Sequence, residues 1–252
     1  MGKIVGRWGG WMVAGVPLLA FLALPIFAIA WRALGAGVAA TDEFNQAVRL
    51  SFETSLASIV AIVILGTPLA FALARFRFPF CRLVGVMVDL PVVLPPAAAG
   101  IGLLLAFGRH GIVATSFAFT TTAVIMAQIF VASPFYIRAA TIAFKGLNRD
   151  LEESAALDGA RPLDIFGRVT LPICSKSLLS GAITSWARAL GEFGATILFA
   201  GNLVGRTQTM PLAIYLGFES DLDLATKIAG ILLAIASGAI LTVRWLTDRS
   251  GE

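Results

Sequence analysis

Six stretches of predominantly apolar residues divide the chain: Trp11–Trp31, Thr54–Ala74, Leu83–Phe107, Ala118–Ile137, Ser177–Ala200 and Leu224–Val243. A helix needs about 20 such residues to cross the hydrocarbon core of a bilayer, so each stretch predicts one membrane-spanning helix. The runs are continuous and do not alternate, which excludes a lipid-facing β-barrel. The third is interrupted by Pro91, Pro95 and Pro96 and carries Asp89, while the fifth carries Arg188 and Glu192. Val38-Ala39-Ala40 after the first run resembles a small-residue cleavage site. That run exceeds the roughly 7–15-residue core of a secretory signal, so it is expected to remain as a span. The expected fold is all-α: a polytopic membrane protein with six transmembrane helices, residues 1–252 forming a single transmembrane domain.

Composition agrees with this pattern. Hydrophobic residues make up 58% of the chain and charged residues 13%, against about 25% charged in soluble proteins. So little charge excludes both a soluble fold and a disordered one. Twelve basic residues fall in segments on one side of the six spans and five on the other. The richer side includes both chain ends, so the positive-inside rule predicts cytoplasmic N- and C-termini, in a multi-pass protein of the plasma (inner) membrane surrounded by lipid. The net charge of +4 is dispersed over short loops, without the continuous basic patch that nucleic acid requires.

Little in the chain suggests bond-making chemistry. Cys81 and Cys174 are the only cysteines and His110 the only histidine, too few for a disulfide framework or a histidine-rich metal site. No nucleophile–base motif or His-Glu-x-x-His pattern is present, so no catalytic residue and no metal are expected. None of the lysines closes a Gly-x-x-x-x-Gly-Lys-Ser/Thr phosphate loop. Any ATP-driven activity therefore needs its nucleotide site on another chain.

The longest connection runs from Arg138 to Lys176 and does not read as a plain loop. Asp150 is a candidate N-cap with Glu153 three residues on, an approximate capping box. Gly159 can end that helix in a left-handed conformation, and Pro162 suits the first turn of another. The prediction is a helix, a glycine bend and a second helix leading into the fifth span. Such an element is either a solvated connector or a docking surface for a cytoplasmic partner.

This segment resembles the cytoplasmic loop signature of ABC importer permeases: Glu-Ala-Ala, three residues, Gly, nine residues, Ile, one residue, Leu-Pro. Here it reads Glu153-Ser154-Ala155, Gly159, Val169 and Leu171-Pro172 with every spacing kept. Further stretches are similar to the molybdate permease subunits of that family, which are related to sulfate permeases. They are Leu90-Pro91-Val92-Val93-Leu94-Pro95-Pro96 with Gly100, Phe107-Gly108-Arg109-His110-Gly111, Gly191-Glu192-Phe193-Gly194-Ala195-Thr196, and Thr207-Gln208-Thr209-Met210-Pro211.

The resemblance implies a type I ABC importer permease fold and a homodimer seated on two ATP-binding subunits that carry ATP–Mg, with no cofactor on this chain. It also implies an extracytoplasmic oxyanion-binding protein and import of molybdate or tungstate. A sulfate or thiosulfate permease is the alternative, and a secondary transporter or channel a more distant one. The loop at about residues 145–172 becomes the coupling element, with Glu152, Glu153, Ala155, Ala156, Gly159, Ala160, Pro162 and Leu163 facing the ATPase. Pro95, Pro96, Gly100, Arg188, Glu192, Phe193 and Gly194 become candidates for the translocation path or its gate. Arg109, Arg206 and Gln208 become candidates for contact with the binding protein.

Read without the family, several of these residues keep two meanings. Arg188 and Glu192 are four residues apart, hence on one helix face, and either line a path or lock the structure as an ion pair. The prolines of the third span either break it at a gate or merely kink it. His110 reads as a turn residue, Asp89 as an anchor for its helix end, and Trp8, Trp11 and Trp31 as interface anchors.

Overall fold

The computed structural model describes residues 2–35, 42–113 and 116–248, with side chains from Ala14 onward. The cleavage-like Val38–Ala40 and the side chains of Trp8 and Trp11 lie outside the described residues. Among those described there is helix and no strand, as expected where no water is at hand to satisfy backbone N–H and C=O groups. The elements are α1 (Gly2–Gly35), α2 (Asp42–Arg75), α3 (Cys81–Val93), α4 (Pro96–Phe107), α5 (Thr121–Gly146), α6 (Arg149–Leu157) and α7 (Pro162–Ile165). A π-helical turn at Phe166–Thr170 follows, then α8 (Leu171–Leu190), α9 (Gly194–Phe199), α10 (Met210–Ser220) and α11 (Leu222–Asp248).

The centre of the bundle is α2, α5 and α8. Helices α2 and α5 run side by side in one direction: Ser58 meets Gln128, and Thr67 meets Tyr136 2.6 Å away. Helix α8 runs the opposite way along α5, with Cys174 against Ala143 and Ser185 against Ala132. Small residues allow the close approach, a habit of helix packing in lipid. A Cβ on Gly181 would stand 2.7 Å from that of Ala139. Ile59, Ile62, Ala70, Ala132, Tyr136, Ala140 and Phe144 fill the space between.

Among the described residues, four helices are long and apolar enough to cross a membrane: α1 from Ala14, α2, α5 and α11. The expected third span is not a straight helix. It breaks into α3 and α4, which meet at 119°. Pro95 and Pro96 have no N–H to donate and push the residue before them into extended backbone, and Leu94 takes φ −63°, ψ 133°. The chain must nevertheless return from the Arg75 end of α2 to the Thr121 end of the parallel α5, so α3 and α4 together make one bent passage.

The expected fifth span is likewise divided. Helix α8 begins earlier than expected, at Leu171, and α9 follows after a break at residues 191–193. The outer segment beyond holds α10, which the apolar pattern did not separate from its surroundings. Helix α1 stands at the periphery against α11, held by Arg32 3.8 Å from Asp223 and by Ala33 beside Gly230.

Candidate functional site

The expected helix–glycine–helix element is present at the Arg75 end of the bundle. Its first cap differs from expectation: Asn148, in extended backbone, accepts the N–H of Asp150 through its side chain at 3.1 Å. Asp150 is therefore already helical, and Glu153 takes no part in the cap. Helix α6 ends as expected, with Gly159 at φ +84°, and Pro162 opens α7. Neither helix has a buried residue. Leu157 and Leu163 are 89% and 85% exposed, two large apolar side chains presented on either side of the bend.

Two ties hold this element to the bundle. Phe166, at the start of the π turn, packs edge-on against Phe71 of α2 with ring centres 4.9 Å apart and lies near Phe144 of α5. Glu152 turns inward, 2.9 Å from Arg75 Nη2, and accepts the hydroxyl of Thr170 at 2.7 Å. Of the residues expected to face a partner, Glu153, Ala156, Gly159, Pro162 and Leu163 are exposed, Ala155 and Ala160 half-buried, and Glu152 committed to the bundle.

At mid-bundle the two helix breaks pack on each other. Gly194 opens α9 directly against Pro96, where a Cβ would fall 2.4 Å from that of the proline. One turn on, a Cβ on Gly100 would lie 2.9 Å from the Ala195 carbonyl and from Leu198 Cβ. Glu192, 1% exposed, closes the break in its own chain. One carboxylate oxygen accepts the Ala195 N–H at 2.8 Å, and the other lies 2.7 Å from Arg188 Nη1. Phe193 stacks obliquely on Tyr215 of α10 at 5.4 Å. Pro95 and Pro96 remain exposed on the far side. What this arrangement can do is mechanical: two short helices, each hinged at a break, share a glycine-lined contact.

At the opposite end, Arg109 and Arg206 are exposed, and the Arg206 carbonyl accepts the Thr121 hydroxyl at 3.0 Å. Gln208 does not belong with them. It is 4% exposed, in the packed turn before α10, and offers no surface to a docked protein. Asp89 does anchor its helix, accepting from Arg138 of α5 at 2.6 Å. His110 sits exposed in the turn after α4.

The apolar pattern missed a buried polar seam. Ser51, Thr54, Ser55 and Ser58 line one face of α2 and are all fully buried. Ser58 donates to Gln128 Oε1 at 2.9 Å, Gln128 Nε2 donates to Thr54 at 3.3 Å, and Trp186 Nε1 donates to Ser55 at 3.0 Å. The Met210 N–H finds Ser51 at 2.7 Å. The signal was legible, since the spacing i, i+3, i+4, i+7 is one helical stripe. Among the described residues no group of acidic, histidine or cysteine side chains could hold a metal ion.

Residues 62–247 match the family model described as the binding-protein-dependent transport system inner membrane component. The chain is 40% identical over 242 residues to the molybdenum transport system permease protein of Mycobacterium tuberculosis, covering 92% of this chain and 90% of that one. Over 225 residues it is 34% identical to the corresponding molybdenum permease of Escherichia coli, with 84% and 97% covered. A probable transport system permease protein of Clostridium pasteurianum is 41% identical over 212 residues, with 81% and 74% covered. Among solved structures, a bacterial ABC transporter that imports the acidic polysaccharide alginate superposes with TM-score 0.74 at 17% identity, covering 98% of both chains. The methionine ABC transporter in an inward-facing form superposes with TM-score 0.59 at 18% identity, covering 81% of this chain and 92% of that one. At such identities the two structures speak for the fold alone.

Proposed function

The chain belongs to the family of binding-protein-dependent transport system inner membrane components, and on that footing we propose that it is the permease subunit of an ATP-driven importer for molybdate. The observation that carries the reading is the exposed α6–α7 element. Its charged surface and the outward Leu157 and Leu163 are what a cytoplasmic motor subunit needs to grip. Two outward leucines on either side of one bend offer apolar anchors within that charged surface. The cargo is inferred from the relatives named for molybdenum transport.

In this reading the chain crosses the inner membrane six times with both termini in the cytoplasm. The six crossings are α1, α2, the bent α3–α4, α5, α8 with α9, and α11. Two copies form the pathway, two ATP-binding subunits carrying ATP–Mg dock on α6–α7 of each, and an extracytoplasmic binding protein delivers the oxyanion at the end where Arg109 and Arg206 are exposed. Closing of the nucleotide sites moves α6–α7, and α8 passes the motion to the contact of α9 with α4. The Gly194–Pro96 and Gly100–Ala195 contacts then act as the gate, since breaks on both partners let each short helix tilt without bending a long one. Arg188 and Glu192 stabilise the break, so attraction of the anion falls to other groups and specificity to the binding protein.

The test is ATP-dependent uptake of radiolabelled molybdate into vesicles that hold this chain with its ATPase and binding protein, with tungstate and sulfate as competitors. The expected result is uptake blocked by tungstate and indifferent to sulfate. Uptake of sulfate alone would keep the architecture and replace the cargo. No uptake of any oxyanion by an intact, ATP-hydrolysing complex would end the reading.

A further inference from the structure

Arg75, Glu152 and Thr170 meet at the root of α6. Arg75 is the last residue of α2, Glu152 lies in the first turn of α6, and Thr170 closes the π turn that feeds α8. The side chains of Arg75 and Glu152 are 8% and 19% exposed, and Thr170 is fully buried. Sheltering two charges costs desolvation that only good geometry offsets. A sequence free to choose would place apolar residues here, as it does around Phe71 and Phe166 close by.

The geometry has a further property. Glu152 offers one oxygen to the Thr170 hydroxyl and the other to Arg75, so its carboxylate is used from two sides by two different helices. The Arg75 guanidinium stands 2.9 Å from Glu152 Oε2 but too obliquely to form a hydrogen bond. Its Nε and Nη2 have no hydrogen-bond acceptor among the described residues. The two side chains are nevertheless an ion pair at 2.9 Å, largely sheltered from solvent, which holds the carboxylate beside the guanidinium. On the other side Thr170 belongs to the π turn, an element rare in helices and frequent at functional sites.

We propose that Glu152 is a positioning residue that yokes α6 to α2 through Arg75 and to α8 through Thr170, so that displacement of the exposed α6–α7 surface moves both long helices together. This rests on the permease reading, and it separates two neighbours that the sequence reading placed together on the ATPase-facing surface. Glu153, exposed, is free to meet the motor subunit, whereas Glu152 faces inward and carries the load. Helix α6 has no buried residue. Among the described residues, Glu152 makes the side-chain ion pair and hydrogen bond that reach from α6 to the bundle.

The experiment uses the full complex in vesicles and compares Glu152→Gln, Arg75→Met, the double variant, and the exchanged pair Arg75→Glu with Glu152→Arg. Two quantities are read: molybdate taken up per ATP hydrolysed, and, with Cys81 and Cys174 replaced, the distance between spin labels at Arg77 and Asp150 with and without a non-hydrolysable ATP analogue. Expected are single variants that assemble with the ATPase in normal amount yet lose uptake per ATP by about fivefold or more, the range of a coupling energy of 1 kcal/mol upward. The double variant should be no worse than either single, and the exchanged pair should recover part of the loss. The label distance should stay constant with nucleotide in the unsubstituted protein and widen or scatter in Glu152→Gln.

Undiminished uptake per ATP together with an unchanged label distance in Glu152→Gln would overturn the yoke. So would loss of ATPase from the purified complex, which would make Glu152 a contact with that subunit. Should the unsubstituted complex bind nucleotide but carry no oxyanion, the cargo reading fails while the label distances still decide the yoke.

Discussion

Glu192 has both carboxylate oxygens engaged although it is 1% exposed: one holds the Ala195 N–H at the start of α9, the other Arg188. Replacing it with alanine removes a helix-end acceptor and leaves the guanidinium without its partner. Hydrogen bonds to charged groups contribute about 1.5–3 kcal/mol each. Glu192→Ala should accordingly lower the melting temperature of the purified permease in detergent, and Glu192→Gln, which keeps an acceptor for Ala195, should lower it by less than half as much. Gly159 presents the opposite case. Nothing lies within 4 Å of where its Cβ would be, so any cost of substitution comes from its φ of +84°, roughly 1–2 kcal/mol for an ordinary residue and less for asparagine. Gly159→Val should insert normally and lose coupling of ATP hydrolysis to uptake, whereas Gly159→Asn should retain most of it. Retained nucleotide-driven transport in the valine variant would count against the bend as part of the coupling element. The sequence announced Gly159 because a helix stop is a local matter. It could not announce the partner of Glu152, because Arg75 lies at the end of a distant helix and only packing brings the two together.

At the scale of elements, the breaks in α3–α4 and α8–α9 matter more than the helices they divide. Pro95 and Pro96 made the first break legible, since adjacent prolines remove consecutive backbone donors and force the residue before them out of helical backbone. The second was harder to read: Gly191 and Gly194 bracket only Glu192 and Phe193 inside a stretch that is otherwise apolar, and the turn is fixed by Glu192 reaching forward to Ala195, a contact no periodicity encodes. A methyl group on Gly194 would collide with Pro96 at 2.4 Å and one on Gly100 with backbone at 2.9 Å. Overpacking of this kind costs about 1–3 kcal/mol. Gly194→Ala and Gly100→Ala should thus impair uptake while leaving assembly with the ATPase intact. Gly238→Ala on α11, where the added methyl meets nothing within 4 Å, should behave as the unsubstituted protein. The seam on α2 invites a milder expectation. Gln128→Leu deletes two interhelical bonds, but Ser58 keeps the Thr54 carbonyl at 2.8 Å, and such bonds average about 0.6 kcal/mol in lipid. A loss of thermal stability well beyond 2 kcal/mol would mean that the seam does more than join α2 to α5.

For the whole molecule, the direction of each helix follows from contacts, and the side of the membrane from charge. Parallel α2 and α5 put Arg75 and Gly146 at one end with α6 and α7, while Thr121, Arg206 and Gly111 gather at the other. The basic residues favour the first end, with Arg77, Arg82, Arg138, Lys145, Arg149, Arg161 and Arg168 clustered in sequence around it. The positive-inside rule predicts that end to be cytoplasmic, the side on which the proposed motor needs its ATP. This expected orientation is legible in the sequence alone, because charge bias is a property of loops and does not depend on packing. The test needs a variant with Cys81 and Cys174 replaced by serine and alanine, then single cysteines at His110 and Leu157, both exposed in the structure. In intact spheroplasts a membrane-impermeant maleimide should label the cysteine at 110 and spare that at 157, and in inverted vesicles the pattern should reverse. Labelling of position 157 from outside would turn the molecule over, place α6–α7 away from ATP, and leave the coupling role without a motor to couple to.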